Sequence, residues 1–204
     1  MFSARPNIWP LIEGPHYRAF WWRRWKSESS VFQKCAGPLR GSAPLCVVGY
    51  GLELKARPAG RERIFMPAEF VDTNIIVYAY DRTAGNKFDR AGDLMERIWD
   101  SGEGVLSTQV LEEFYVSVTG KIPQPLKPQK AREIVADLGT WKVALLEVPD
   151  VLKASLLSER YGLSFWDGLI LAAAQKEDAK IVWSEDFNHG QNYDGVTVRN
   201  PFAA

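Results

Sequence analysis

The sequence has few of the residues that build redox centres, transition-metal sites or membrane anchors. It contains two cysteines and two histidines, and ten residues separate Cys35 from Cys46 in no metal-binding or redox motif. We therefore predict free thiols and a cytoplasmic protein. No apolar run reaches the roughly eighteen residues of a membrane-spanning helix. The N-terminus also lacks a basic region followed by an apolar core, so we predict no secretory signal and no membrane partner.

The net charge of zero hides two unlike pieces of chain. Residues 1–65 carry eleven Lys and Arg against four Asp and Glu, whereas the remainder carries fourteen against twenty-one. The first piece is rich in Trp, Pro and Gly without a sustained period, which predicts an irregular or disordered basic leader. Its Trp and Arg cluster is also typical of base stacking or of binding at a membrane surface. Met66 stands directly before the first predicted strand, which favours a domain spanning 66–204 and a leader outside the native protein.

Strand and helix patterns alternate from Met66 onward. Short apolar runs predict strands at 69–72, 104–108, 142–148, 180–184 and 196–200. Apolar residues at helical spacing predict helices at 73–81, 86–102, 109–120, 129–139, 149–162 and 164–179. The alternation predicts an α/β fold in which helices cover both faces of a parallel sheet, a three-layer α/β/α sandwich.

Acidic residues lie where these strands are predicted to end, and open α/β sheets bind their ligands at that edge. The candidates at the ends of strands or in the helices that follow are Asp72, Glu112, Glu113, Asp167, Glu185 and Asp186. A buried carboxylate directly after a strand costs several kcal/mol to desolvate unless it is paired. No basic residue stands beside Asp72, Glu113, Asp167 or Asp186 in the sequence. Gathered carboxylates without a cationic side chain indicate a divalent ion, and oxygen ligands favour Mg²⁺ or Mn²⁺.

Several of these positions also have purely structural explanations. Ser164 and Asp167 have the spacing of a helix-capping box, and Asp186 precedes a segment typical of a turn. Glu112 and Glu113 flank the apolar stripe of their helix about equally, so periodicity leaves open which of them faces the sheet edge. His189 is a lone histidine within that turn, and we expect no metal-ligand role for it.

Four segments are distinctive in their order and spacing, namely "FVDTNIIVYAYD", "LSTQVLEEFYVSV", "LSFWDGLILAAA" and "VWSEDFNHGQ". Together they resemble the PIN-domain nucleases, and most closely the VapC-like group, many of which are toxins of bacterial toxin–antitoxin pairs. The resemblance covers roughly residues 68–202. It implies a five-stranded parallel sheet and metal-dependent hydrolysis of RNA. Its acidic residues fall on Asp72, Glu113, Asp167 and Asp186, with Thr73, Asn74 and Ser184 as supporting polar residues.

The resemblance further implies one or two Mg²⁺ or Mn²⁺ ions held by those four carboxylates. Glu113 is chosen over Glu112 because the family places its acid before an aromatic residue, here Phe114. The implied partners are an RNA substrate and a small antitoxin protein, and we expect a homodimer. The alternative is a catalytically silent PIN-fold module for RNA binding or assembly, which the complete set of acids disfavours.

Two other classes of α/β protein fit the sequence less well. A phosphatase of the haloacid-dehalogenase kind also begins with Asp at a strand end, but it needs a second Asp where this chain has Asn74. A nucleotide-binding domain needs a G-x-G-x-x-G after the first strand or a P-loop, and the sequence has neither there.

Overall fold

A computed structural model describes residues 67–203, and the predictions for the leader and the two cysteines lie outside this part of the chain. The strands are Glu69–Val71 (β1), Gly104–Ser107 (β2), Lys142–Ala144 (β3), Ile181–Trp183 (β4), Asn192–Tyr193 (β5) and Val196–Arg199 (β6). The helices are Thr73–Tyr80 (α1), Asn86–Ser101 (α2), Thr108–Gly120 (α3), Pro128–Leu138 (α4), Val148–Tyr161 (α5) and Phe165–Lys176 (α6). A short 3₁₀ turn, Arg82–Ala84, joins α1 to α2.

The strands form one sheet in the order β3-β2-β1-β4-β6-β5, which confirms the predicted α/β class. Five strands run parallel, and β5 pairs antiparallel with β6. The expectation of five strands is therefore wrong by one. The additional strand, β5, has two residues, too few for an alternating pattern. Asp194 and Gly195 reverse the chain after it with positive φ angles of 50° and 95°, as a two-residue hairpin loop requires.

The order of the strands places the residue that follows β1, Asp72, at the middle of the sheet. The chain moves outward from β1 through β2 to β3, and then crosses back to β4 on the other side of β1. Because such crossovers are right-handed, α1 to α4 lie on one face of the sheet and α5 and α6 on the other. β1 and β4 pair in register, Val71 opposite Trp183, so their carboxyl ends meet at the point where the strand order reverses.

The two faces are covered differently. On one face, α2 spaces buried residues such as Ala91, Met95 and Ile98 at helical intervals towards the interior, while its other side is polar. On the other face, α6 is buried along nearly its whole length from Gly168 to Ala174, and α5 packs over it. Because α6 is apolar all round, it forms the inner layer of that face and needs α5 as its cover.

An ion pair between the partly exposed Arg97 and the buried Glu69 fastens α2 to the start of β1, at the opposite end of the strand from Asp72. Arg97 donates two hydrogen bonds of 2.8 Å to the buried Glu69 carboxylate, which also accepts one from the Trp183 indole. Burial alone would raise the pKa of Glu69, but these hydrogen bonds and the Arg97 charge hold it below its usual value.

Within residues 67–203, no helix is both long enough and apolar enough to cross a membrane.

Gly168 allows α5 and α6 to approach closely. A Cβ atom added at this position would lie 2.4 Å from the carbonyl oxygen of Ala154, an atom of the α5 backbone that cannot rotate away. Contact between the two helices is the most extensive between any pair of elements described. The missing side chain of Gly168 therefore sets the position of α6, whose first turn carries Asp167.

We expect Gly168→Ala to lower the free energy of unfolding by about 1–3 kcal/mol, because α5 and α6 must separate to admit the methyl group. Gly120→Ala is the matched control. Gly120 is the last residue of α3, and nothing lies within 4 Å of a Cβ added there. It should leave the stability within about 1 kcal/mol of the wild type. Chemical denaturation of the two variants measures the difference, and equal stabilities would contradict the packing argument.

Candidate active site

A cleft of about 400 Å³ opens at the carboxyl ends of β1 and β4. This cleft is lined by all four carboxylates that the resemblance to PIN domains implied as site residues, namely Asp72, Glu113, Asp167 and Asp186. They come from four different elements of the chain, and the reversal of strand order brings them to the same edge. Thr73 and Asn74, in the first turn of α1, also line it.

Asp72 connects the sheet to the first helix. Its backbone N–H donates to the carbonyl of Trp183 at 3.0 Å, which continues the pairing of β1 with β4 by one residue. Its Oδ1 accepts the Thr73 N–H at 2.6 Å and so caps α1, as expected of an Asp between a strand and a helix. Its Oδ2 accepts the hydroxyl of the buried Ser184, also at 2.6 Å. The Asp72 carboxyl thereby holds the ends of both central strands.

Burial raises the pKa of Asp72 to about 7, and the nearby charges of Asp186 and Asp167 contribute in the same direction. The hydrogen bonds from Ser184 and the Thr73 backbone oppose this effect without cancelling it, because two neutral donors stabilise the carboxylate less than desolvation destabilises it. Asp72 therefore lies in a site that favours an added positive charge.

Asp186 lies beside Asp72 and is held by two polar contacts. Asn74 donates to its Oδ2 at 2.8 Å, and its own backbone N–H donates to Ser184 Oγ at 3.1 Å. Burial raises the pKa of the Asp186 carboxyl, and the charges of Asp167 and Glu185 raise it further. The Ser184 hydroxyl consequently links two of the acids, since it donates to one carboxylate and accepts from the backbone of the other.

The choice between Glu112 and Glu113 is made by contacts across the cleft. Glu113 Oε2 accepts the Thr73 hydroxyl and its Oε1 accepts the Gln109 amide, both at 2.9 Å. Glu112 is exposed on the other side of α3 and faces away from these partners. Glu113 is therefore the acid of α3 that faces the site.

Asp167 uses its backbone but not its carboxylate in capping the helix. Ser164 is the N-cap residue of α6, and its hydroxyl accepts the Asp167 N–H at 3.1 Å. Among the described residues, the reciprocal hydrogen bond of a complete capping box is not formed. Helix capping therefore accounts for Ser164 and leaves the Asp167 carboxylate directed at the cleft that it lines.

One basic residue, Lys87, lies near the cleft although it is distant from the four acids in the sequence. Lys87 Nζ lies 2.6 Å from Glu185 Oε2 and 3.2 Å from the hydroxyl of Tyr78, which lines the cleft. Its charge lowers the pKa of Asp186, although not enough to offset burial and the neighbouring acids. Lys87 and Glu185 are far apart in the chain, so their pairing had no local signal. The pair neutralises Glu185 rather than the acids of the cleft.

The structure adds functional residues that the sequence argument missed. Gln109 is 7% exposed, lines the cleft and holds Glu113 from one helical turn away, a spacing from which the contact was predictable. Trp166 also lines the cleft, beside Asp167. His189 accepts the backbone N–H of Asn200 at 3.0 Å and lies in the turn after β4, in keeping with a structural role.

The residues of the cleft suit a hard divalent cation in their chemistry. All four ligand candidates are carboxylates, and two of them have raised pKa values that a cation would lower. The amide oxygens of Asn74 and Gln109 are buried without a hydrogen-bond donor, so the site also contains unsatisfied acceptors. Within the part of the chain that the structure describes, no three acidic, His or Cys side chains converge closely enough to form a preassembled metal site. Glu113 and Asp186 instead receive the hydrogen bonds of their neutral neighbours.

Comparison with solved structures finds several proteins of similar architecture. A toxin–antitoxin complex from Klebsiella pneumoniae is 21% identical, with a TM-score of 0.49 over 67% of this chain and 100% of that one. VapC20 of Mycobacterium tuberculosis, a toxin that cleaves the sarcin–ricin loop, is 18% identical, with a TM-score of 0.44 over 56% and 87%. VapBC2 of Rickettsia felis, bound to a DNA fragment from its promoter, is 18% identical, with a TM-score of 0.46 over 65% and 98%.

Comparison with curated proteins finds no match. The PIN domain family matches residues 70–193, which is more than half of the chain and includes all four acids of the cleft. The match also includes β2 to β5, α1 to α6 and all of β1 except Glu69. The chain belongs to the PIN domain family.

Proposed function

We propose that this protein is a divalent-metal-dependent endoribonuclease that hydrolyses phosphodiester bonds in RNA. PIN domains are typically nucleases that use divalent metals. The observation that carries the proposal is the meeting of Asp72, Glu113, Asp167 and Asp186 in one cleft, where neutral side chains position three of them without neutralising them. We further propose that residues 66–204 are the functional unit and that the leader is dispensable for cleavage.

Mg²⁺ or Mn²⁺ would be held by Asp72, Asp167 and Asp186, with Glu113 contributing directly or through water. When bound, such an ion polarises the scissile phosphate and lowers the pKa of a coordinated water. The chain's own polar residues orient the ligands: Ser184 fixes Asp72, Asn74 fixes Asp186, and Thr73 with Gln109 fixes Glu113. These neutral donors restrict the carboxylates and leave their charges available to the cation.

Binding of a polyanion by this domain needs positive charge from outside its own acidic surface. Residues 66–204 carry fourteen Lys and Arg against twenty-one Asp and Glu, a net charge of −7. RNA would therefore be held through the bound cation, through basic residues placed locally, or in a groove shared by two subunits. We expect cleavage to require the divalent ion for binding as well as for hydrolysis.

The second candidate is a catalytically silent PIN-fold module that binds RNA or organises an assembly. It is favoured by the lack, among residues 67–203, of three carboxylates already converging on one point. The nuclease remains our proposal because a silent module has no need of four acids in one cleft, two of which, Asp72 and Asp186, have raised pKa values. The two candidates differ in whether Mg²⁺ stabilises the protein and whether RNA is cut.

We expect Asp72→Asn to abolish Mg²⁺-dependent cleavage of single-stranded RNA while stabilising the metal-free protein at alkaline pH. The folded pKa of Asp72, about 7, lies above its unfolded value of 3.8, so the wild type loses stability as pH rises between these values. At about pH 8 in EDTA, the variant should gain up to about 4 kcal/mol, and near pH 4 the difference should disappear. Nuclease assays and thermal melts measure the two effects.

Asp81→Asn is the control for that experiment. Asp81 caps the 3₁₀ turn at the other end of α1 and does not line the cleft. It should leave cleavage intact. Undiminished cleavage by Asp72→Asn would overturn the nuclease mechanism, and a wild type that neither cleaves RNA nor melts at higher temperature with Mg²⁺ would favour the silent module.

We also propose that the protein is the toxin of a bacterial toxin–antitoxin pair, with a small antitoxin protein as its partner. The support is the resemblance of its four motifs to the VapC-like group. Expression of the chain in bacteria should arrest growth, and coexpression of the small neighbouring open reading frame should relieve the arrest. Asp167→Asn should not arrest growth. Arrest by this variant would show that toxicity does not depend on cleavage.

A homodimer is supported by an exposed apolar face on α5. Val148, Val151, Leu152 and Leu156 are all exposed and recur at helical spacing along the outer side of this helix. Exposed aliphatic side chains grouped in this way are typical of an interface. Lys153 and Glu159 stand three residues on either side of Leu156, so two antiparallel copies of α5 would place unlike charges opposite each other.

We expect Leu152→Glu to convert a dimer into a monomer, because the buried face would then contain two unpaired carboxylates. Leu152 is 63% exposed in the single chain, so the substitution should not unfold it. Val116→Glu, at a position 54% exposed on α3, is the matched control and should remain dimeric. Light scattering gives the mass in solution. A monomeric wild type, or a dimer that survives Leu152→Glu, would contradict the assignment of this face.

A further inference from the structure

Trp166 is a large aromatic residue left in water at the start of an otherwise buried helix. It is 61% exposed and its neighbour Phe165 is 37% exposed, whereas Gly168 to Ala174 of the same helix are buried. Packing of α6 against α5 and the sheet therefore leaves most of the Trp166 side chain uncovered. An indole exposed to this extent leaves much apolar surface in water, so a ligand that covers it gains free energy.

The surroundings of Trp166 indicate what that ligand is. Its side chain lines the cleft that contains the four carboxylates, and it directly precedes Asp167. Phe165 packs against it edge to face, with ring centroids 5.6 Å apart and an interplanar angle of 73°. The contact limits rotation of the indole, which stays mostly exposed. The cleft also has apolar wall residues, Val77 and Ile170, next to the acidic ones.

A planar apolar surface adjoining a site for a phosphate diester matches the two parts of a nucleotide. Stacking of a base on an aromatic side chain contributes about 1–3 kcal/mol and tolerates every base, because each has a π face. A base within a duplex is already stacked on both faces, so only an unpaired base is free to cover the indole. The exposed face of α5 is made of aliphatic residues, and none of them lines this cleft.

We propose that Trp166 stacks on an unpaired base of the nucleotide whose phosphate occupies the acidic cleft. The inference rests on the proposed ribonuclease function and specifies its substrate: single-stranded or looped RNA, with the base beside the scissile bond splayed out onto the indole. Trp166 is thus a binding residue for the base, and Phe165 positions it. Recognition by stacking gives the site a preference for unpaired nucleotides without selecting a base sequence.

The test uses binding of two short fluorescein-labelled probes to the Asp72→Asn protein in Mg²⁺, followed by fluorescence anisotropy. One probe is single-stranded RNA of mixed sequence, and the other is the same length of backbone without bases. Trp166→Ala in this background should weaken binding of the RNA by roughly 5- to 150-fold and leave binding of the abasic probe unchanged. Trp166→Phe should retain most of the affinity, since it keeps a ring. The loss should persist at high salt, unlike the loss of a phosphate contact.

Val116→Ala, another exposed apolar position, is the control and should bind both probes as the parent does. In the otherwise wild-type chain, Trp166→Ala should raise KM for RNA more than it lowers kcat. An equal loss for both probes, or no loss for either, would overturn the stacking assignment. A change in the mass of the protein without base-dependent binding would show that a second subunit covers Trp166 instead. If Trp166→Ala weakens binding of the RNA only, but the wild-type protein never cleaves RNA, the nuclease proposal is refuted and the stacking proposal is upheld.

Discussion

The hydrogen bond from Ser184 to the buried carboxylate of Asp72 joins the two halves of the site. β1 and β4 are adjacent in the sheet but distant in the chain, and this bond connects the residues directly after each strand. Asp72 also caps α1, which carries Thr73 and Asn74, and Ser184 also accepts the backbone N–H of Asp186. Since the other contacts of the cleft extend from these elements, its geometry depends on keeping a carboxylate at a place where desolvation disfavours its charge.

Neutral side chains carry out nearly all of the positioning within the cleft. Hydroxyl and amide groups hold three of the four acids, whereas the nearby lysine, Lys87, is paired with Glu185. A lysine or arginine in their place would hold the carboxylates equally well and cancel the field that attracts a cation. The arrangement therefore lowers the stability of the isolated domain and leaves a negative field in the cleft, where the proposed cation would bind.

Stability is supplied at a distance from this cleft. The Arg97–Glu69 ion pair fastens the amino end of β1, and the close approach of α5 to α6 at Gly168 fixes the helix that carries Asp167 and Trp166. In these places an acid has a cationic partner, or two backbones meet without an intervening side chain. The two ends of β1 therefore differ in how a buried carboxylate is stabilised. Glu69 is paired with Arg97, whereas Asp72 accepts hydrogen bonds from neutral donors only.

The sequence by itself determined the alternation of strands and helices and a set of six candidate acids near strand ends, because burial periodicity and residues at strand ends are local properties. The resemblance to PIN domains reduced that set to Asp72, Glu113, Asp167 and Asp186. It did not determine the short strand β5, since two residues form no pattern, although the Asp194–Gly195 turn signals a hairpin. Only the tertiary structure decided that Glu113 rather than Glu112 contacts Thr73, that Lys87 pairs with Glu185, and that Trp166 stays exposed. Each of these outcomes depends on which side of a helix meets residues distant in the chain. Helical spacing limits which side chains can share one side of a helix, but packing decides which side faces the rest of the protein.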